Sequence, residues 1–298
     1  MLPYVVDHEI ELRPLEEHYA PAMFKLVEQG RAYLRQWQNW PDRINSLADM
    51  VALIRRSQQK RLYNDGFDAV ILYRGQPAGK VGFVAVDWIE RRAEIGYWLG
   101  QSFQGLGLMT RSTRALVNFG LTEMGLDVVH IRCAVENVRS AAIPKRLGFV
   151  YNHRLSRQVW IHGFVQEEAV YVMTRKQWRN HMIYHITTRS AWDAAQPTGE
   201  YRAASLETQG FIHLSHQEQV LKVANAVYCG QKDLVLLCVD PTGLDVREEA
   251  PDASIPAEHE SQERFPHLYG GLPLHAVVRV LEFPVRPDGT FRLPSELL

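Results

Sequence analysis

The stretch from Gly100 to Arg111 constrains this chain more than any other. It must join an apolar strand-like segment, Ile95 to Leu99, to a segment of helical periodicity by way of Gly105 and Gly107. Glycine removes Cβ where a backbone turns sharply, and the helix that follows opens with N–H groups that have no acceptor of their own. Such amides suit an anion, a pyrophosphate above all. Leu108, Ser112, Ala115, Leu116 and Phe119 share one face of that helix, with Arg111, Arg114 and Asn118 elsewhere and Gly125 as the stop. A plain strand-helix turn without a ligand would use the same residues. The downstream sequence separates the two readings.

Asp127 to Glu136 reads as a half-buried strand, with Val129, Ile131, Cys133 and Val135 alternating with Val128, His130, Arg132 and Ala134. Asn137 to Phe149 then runs N-x-x-S-x-x-I-P-x-R-L-G-F. With the turn at Gln104 to Met109, of the form Q-x-x-G-x-(G/A), it resembles the acetyl-CoA-binding core of the Gcn5-related N-acetyltransferases (GNAT). The match is closest to the RimJ/RimL-like branch, which acetylates ribosomal-protein N-termini. The resemblance covers roughly residues 1–178, including Leu34 to Pro41, Glu94 to Leu99 and Tyr171 to Trp178. It departs at Met109, where many members carry Gly or Ala, and at Asn152, where the branch commonly has a glutamate.

The resemblance implies an α/β (α+β) fold, a mixed and mostly antiparallel sheet flanked by helices. It also implies an acetyl-CoA-dependent N-acetyltransferase that passes acetyl to a primary amine by direct attack. The acceptor would be a protein N-terminus, ribosomal ones included, or a small molecule. The amides of Gln104, Gly105, Leu106, Gly107, Leu108, Met109 and Thr110 would take the pyrophosphate of acetyl-CoA. The strand end at Trp98 and Leu99 would pair with the pantetheine arm like an added strand. Asn137 and Ser140 would lie beside the thioester, the Ser140 hydroxyl donating to the departing sulfur. Ser140 as a helix cap is the alternative, and both can hold at once.

An α-amine has a reference pKa near 8, so a modest base or a water relay suffices. Glu94 is the candidate base, with an ordinary solvated strand glutamate as its alternative and His130 and His153 as further bases. Trp37 and Trp40 are candidates for acceptor contact or for simple core packing. No cysteine lies in the cleft motifs.

At 298 residues and 46% hydrophobic, the chain is long enough for two domains, each with its own core. Its formal net charge of -1, without blocks of like charge, argues against nucleic-acid or polybasic membrane partners. The odd thiol count of Cys133, Cys229 and Cys238 points to reduced cysteines. No apolar leader or membrane span is seen, and a cytoplasmic location is expected.

The expected elements begin with a strand at His8 to Pro14 and a helix at Leu15 to Glu28 that ends near Gly30. Helical stretches follow at Arg31 to Trp40 and Ser46 to Tyr63. Strands are expected at Phe67 to Tyr73, Ala78 to Asp87, Arg92 to Leu99, Val150 to Leu155 and Val165 to Met173, before Arg175 to Asn180 exits into a polar linker. The domains are therefore read as 1–180 and 182–298, the second a small α+β domain.

Met182 to Thr187 reads as the second domain's first strand. Ser215 and Glu218 have capping-box spacing before a helix burying Val220, Val223, Ala224 and Val227. Leu234 to Val239 and Ala276 to Phe283 are further strands. Y-H-I, G-F-I-H-x-S and F-P-H-x-Y-G, at Tyr184, Phe211 and Phe265 onward, resemble a small uncharacterised bacterial family related to ADP-ribosyltransferase-like folds. That resemblance implies that His185 helps grip the nicotinamide-side ribose of NAD; His213 and His267 are further ligand candidates. Structural histidines are the alternative. His213, His216, His259, His267 and Cys229 lack the spacing of a metal motif, so no metal is expected. A competing function is a CoA-binding regulatory module whose second domain recognises a nucleotide, NAD or a partner. Oligomeric state is left open, a homodimer included.

Overall fold

The computed structural model describes residues 3–153, 157–250 and 263–297. His259 and the end of the strand expected over Val150 to Leu155 lie outside the described residues. The chain divides into two compact units, Met1–Arg175 and Lys176–Leu298.

In chain order the first unit contains β1 (Tyr4–Val5), β2 (Ile10–Pro14), α1 (Ala20–Leu34), α2 (Leu47–Leu62), β3 (Phe67–Tyr73), β4 (Gln76–Asp87) and β5 (Arg92–Leu99). Then come α3 (Leu108–Asn118), β6 (Val128–Ala134), α4 (Val138–Arg146), β7 (Val150–Tyr151), β8 (Arg157–Ile161) and β9 (Phe164–Thr174). They form one sheet in the order β1-β2-β3-β4-β5-β6-β9-β7, with β8 on β9. Among the described residues only β5 and β6 run parallel, and the other pairs are antiparallel. The sheet is mixed and mostly antiparallel, as expected. Its core includes Ile10, Leu12, Val27, Ile54, Val70, Phe83, Ile95 and Val129, each at most 1% exposed.

Several boundaries differ from the sequence reading. α1 starts at Ala20 rather than Leu15, because Pro21 lacks an N–H and is tolerated only in a first turn. It then passes through Gly30 to the buried Leu34. Of the helix expected over Arg31 to Trp40 only Arg31 to Leu34 is helical, as the end of α1, and a short 3-10 turn spans Trp40–Arg43. On α3, Arg114 and Asn118 are buried along with Ser112, Thr113 and Val117. That helix packs against β2, β4, β5 and α4 at once, so it has little solvated face. β8 was not foreseen. Arg175–His181 form α5, with Trp178 1% exposed, so the polar residues expected to lead into a linker end a helix.

The second unit adds β10 (Ile183–Thr188), α6 (Arg189–Ala195), β11 (Glu200–Tyr201), α7 (Ala204–Thr208), β12 (Ile212–His213) and α8 (Val220–Val227). After these come β13 (Leu234–Val239), β14 (Val246–Glu249), β15 (Phe265–Leu268), β16 (Leu272–Pro273) and β17 (Val277–Glu282). Among the described residues these form three small sheets, β10-β13-β17, β12-β15-β14 and β11-β16. Ile212, Val235, Leu237, Val239 and Leu272 are fully buried between them. The capping box lies one residue later than expected, between His216 and Gln219. α8 buries Val220 and Ala224, while Val227 is exposed. No helix of the described residues is long and apolar enough to cross a membrane.

Candidate functional site

β5 and β6 pair from Arg92 with Val128 as far as Ile95 with Ile131. Beyond that point they separate. β5 follows β4 to Leu99, and β6 follows β9 to Ala134. The edge of β5 from Gly96 to Leu99 is thus left without β6, and backbone groups at such an edge can accept an extended guest as an added strand. Trp98 and Leu99 stand at its end, as the sequence reading required.

The chain leaves β5 through a 3-10 turn at Gln101–Phe103 and enters α3 at Gly107. Gly105 and Gly107 have φ of +80° and +71°, the left-handed region that favours glycine. A Cβ at Gly105 would meet nothing within 4 Å, and one at Gly107 only the Arg111 Nε at 4.0 Å. Space is therefore open in front of the turn, where the first amides of α3 and its dipole favour an anion. Leu108 and Met109 point into the core, so Met109, at a position where many relatives are smaller, costs the turn nothing in open space.

Two arginines that the sequence reading missed flank this turn. Arg139 Nη1 donates to Gln104 Oε1 at 2.9 Å, and Arg146 Nη1 to Thr110 Oγ1 at 2.6 Å. The open cradle, the amides, the arginines and the free strand edge together fit acetyl-CoA.

At the mouth of the separation, the start of α4 is capped by Asn137, whose Oδ1 accepts the Ser140 N–H at 3.1 Å. Ser140 is therefore not the cap. Its Oγ donates instead to the Tyr97 hydroxyl at 3.3 Å, while that hydroxyl donates to the Ser140 carbonyl at 3.1 Å. That carbonyl is available because the residue four further along α4 is Pro144, which has no N–H to offer it. Burial pushes the Tyr97 phenol well above its usual range, so it stays protonated. The I-P pair of the motif marks the Ser140 carbonyl as lacking its helical donor, but nothing in the sequence names Tyr97 as the residue that fills it.

Cys133 lies on β6, just outside the cleft motifs. It is 7% exposed, and its thiol bonds Ser140. Burial pushes that thiol up, which keeps it protonated and a poor nucleophile. The geometry favours direct attack over an acyl-enzyme.

Glu94 lies on the opposite face of β5 from Tyr97, since strand side chains alternate. Burial would raise its carboxyl, but hydrogen bonds and charge from His130 at 3.3 Å and Arg132 at 3.1 Å outweigh this and hold it below the usual range. It is an ionised, partnered carboxylate. His153 is exposed beyond β7.

The segment after α1 bridges to the β8–β9 hairpin. Asn39 Nδ2 donates to the Trp160 carbonyl at 2.9 Å, Asn39 Oδ1 accepts from the His162 N–H at 3.1 Å, and a ring nitrogen of His162 meets the Arg35 carbonyl at 2.7 Å. Trp40 packs on Trp98, centroids 5.5 Å apart, while Trp37 is half-buried.

In the second unit, His185 is 6% exposed with both ring nitrogens partnered: Nδ1 donates to the His213 carbonyl at 2.7 Å, and Nε2 meets the Tyr201 hydroxyl at 3.0 Å. Desolvation lowers its pKa to about 4. These contacts fit a structural histidine. Among the described residues no group of His, Cys, Asp and Glu is arranged to hold a metal.

Residues 9–150 match the family model described as acetyltransferase (GNAT) domain, and residues 186–280 match one described as protein of unknown function (DUF952). A relative named "Putative ribosomal N-acetyltransferase YdaF", from Bacillus subtilis (strain 168), is 30% identical over 175 residues, 58% of this chain and 95% of its own length. The RimL ribosomal L7/L12 alpha-N-protein acetyltransferase, solved with coenzyme A in disulfide linkage to a cysteine, is 26% identical with a TM-score of 0.56, covering 58% of this chain and 98% of that one. The microcin C7 self-immunity acetyltransferase MccE, solved with acetyl-CoA and AMP, is 27% identical with a TM-score of 0.55, covering 58% and 97%. Sheet, separated strands, glycine turn and matches agree: the chain belongs to the GNAT acetyltransferases and is an acetyl-CoA-dependent N-acetyltransferase.

Proposed function

We propose that the first unit acetylates the α-amine of a protein N-terminus, a ribosomal protein's in particular, in the cytoplasm. The observation that carries the site assignment is the Ser140–Tyr97 hydroxyl pair, 3.3 Å apart where β5 and β6 part. The amides from Gln104 to Thr110, with Arg139 and Arg146, bind the pyrophosphate, and the edge at Trp98 and Leu99 holds the pantetheine arm.

As the amine nitrogen bonds the acetyl carbon and the C–S bond breaks, the Ser140 hydroxyl turns its hydrogen to the developing thiolate. Tyr97, pinned to the Ser140 carbonyl, orients it. Such a preplaced donor acts where charge appears and needs little reorganisation. Glu94, ionised at rest, attracts the ammonium form and then takes the amine's proton through water rather than by direct contact. Trp40, Asn39 and the β8–β9 hairpin form the wall that meets the acceptor chain.

The RimL and YdaF names support a ribosomal acceptor. We further propose two domains joined through α5, the second with an ADP-ribosyltransferase-like fold. The test is acetyl transfer to synthetic N-terminal peptides of ribosomal proteins beside spermidine, with products mapped by mass spectrometry. N-terminal acetylation of a peptide at rates well above spermidine is expected. Turnover of spermidine alone would overturn the acceptor assignment.

A further inference from the structure

The motifs of the second unit leave residues that acetyl transfer does not use, and the fold brings them onto one face of the sheet β12-β15-β14. His213 lies directly opposite His267, and His267 opposite Arg247. Because side chains alternate along strands, Phe211, His213, Phe265, His267, Tyr269 and Glu249 share that face. Phe211 stacks on the His267 ring, centroids 4.1 Å apart and 12° from parallel, and His213 meets it edge-on at 5.2 Å. The imidazole is thus clamped in one plane.

Its side chain is 4% exposed, and Nδ1 donates to Glu249 Oε2 at 2.9 Å. Tyr269 holds the same carboxylate through its hydroxyl, at 2.9 and 3.1 Å from the two oxygens. With Nδ1 carrying the proton, Nε2 presents a lone pair. Among the described residues no hydrogen bond to Nε2 is seen. His267 lines a small cleft open to solvent at its mouth, together with His185, His213, Ser215, Tyr184 and Phe265. Among the described residues no lysine, arginine or carboxylate lines that cleft. A charged guest would lose its hydration there without a counter-charge, so the cleft selects against ions.

We propose that Glu249, His267 and this cleft form a second site, which takes a small uncharged molecule bearing a carbonyl and uses His267 Nε2 as a general base on water. A nucleophile-activating base oriented by a third group is the arrangement such chemistry needs. Water gives its proton to Nε2 while its oxygen bonds the carbonyl carbon. The Glu249 carboxylate stabilises the imidazolium, and the proton then passes to the leaving group or to solvent.

The full-length protein is assayed with p-nitrophenyl acetate, an uncharged flat ester that yields acetate and p-nitrophenolate with water. Hydrolysis above that of free imidazole at equal concentration is expected. It should fall about 10²-fold in His267→Gln and about 10-fold in Glu249→Gln, the usual size of general-base effects. Equal rates in wild type and a folded His267→Gln would overturn the site.

Since His267 is buried, a second measurement uses the unmutated protein. Diethyl pyrocarbonate reacts at a free imidazole nitrogen, which bonds its carbonyl carbon as ethyl carbonate leaves. His267 should be modified and His185, with both nitrogens occupied, protected. If His267 were as protected as His185 while the exposed His18 reacted, Nε2 would not be open and the proposal would fall.

Discussion

Pro144 has no N–H, and that missing donor leaves the Ser140 carbonyl for Tyr97, which sets the geometry of the pair that we propose meets the thioester. Ser140→Ala should cut turnover about 10²-fold with near-normal acetyl-CoA affinity, read from thiol release and from calorimetry. A variant that turned over normally would remove Ser140 from the chemistry. Pro144→Ala restores a donor inside α4, which competes with Tyr97 for the same carbonyl. It should raise thermal stability or leave it unchanged while lowering kcat, because the hydroxyl pair loses its anchor; an unchanged kcat would count against the anchoring role.

His185 is neutral when folded, its pKa pushed down to about 4 by desolvation from the ordinary 6.5. Between those values the unfolded chain binds a proton that the folded unit does not. The contribution, roughly 3 kcal/mol at most, is therefore whole above the ordinary value and lost as pH falls towards the folded one. Urea titrations of wild type and His185→Gln between those pH values should show a steeper pH dependence in the wild type. Parallel curves would refute it. Ser140 was legible in the motif, whereas Tyr97 was not, because residues 97 and 140 meet only across the separated strands.

The turn into α3 is the most legible element, since two glycines at positive φ and the apolar face beginning at Leu108 leave few other conformations. Gly107→Asp should weaken acetyl-CoA binding at least 10-fold by calorimetry, since it sets a negative charge against the anion and strains a position at φ +71°. Equal affinity would sink the anion-turn assignment. The buried Arg114 and Asn118 show the limit of periodicity, which marks the most apolar face but not how many neighbours enclose a helix. The capping box slipped by one residue for a related reason: His216, an uncommon cap, bonds Gln219, and no propensity argument places it ahead of Ser215.

For the whole molecule, α5 decides where the chain can be divided. Arg175 at its start donates to the Leu126 carbonyl at 3.0 Å, while His181 at its end meets Asp240 at 3.0 Å, and Trp178 between them is buried. A fragment starting at Lys176 should melt as a folded unit. One starting at Ile183 should be less stable by about 3 kcal/mol or more, because it loses a buried tryptophan and leaves the fully buried Asp240 without His181. Equal melting temperatures by circular dichroism would show that α5 contributes nothing to the second unit.

Local rules were enough for the longer strands of the first unit, the glycine turn and the family, because each depends on residues a few positions apart, whose spacing is visible in the chain. The separation of β5 from β6, the Tyr97–Ser140 pair, the bridge from Asn39 to the β8–β9 hairpin and the convergence of Phe211, His267 and Glu249 were decided only by tertiary structure. They join residues dozens of positions apart, and which of the many distant pairs meet depends on how sheets and helices pack together, a property no local pattern carries.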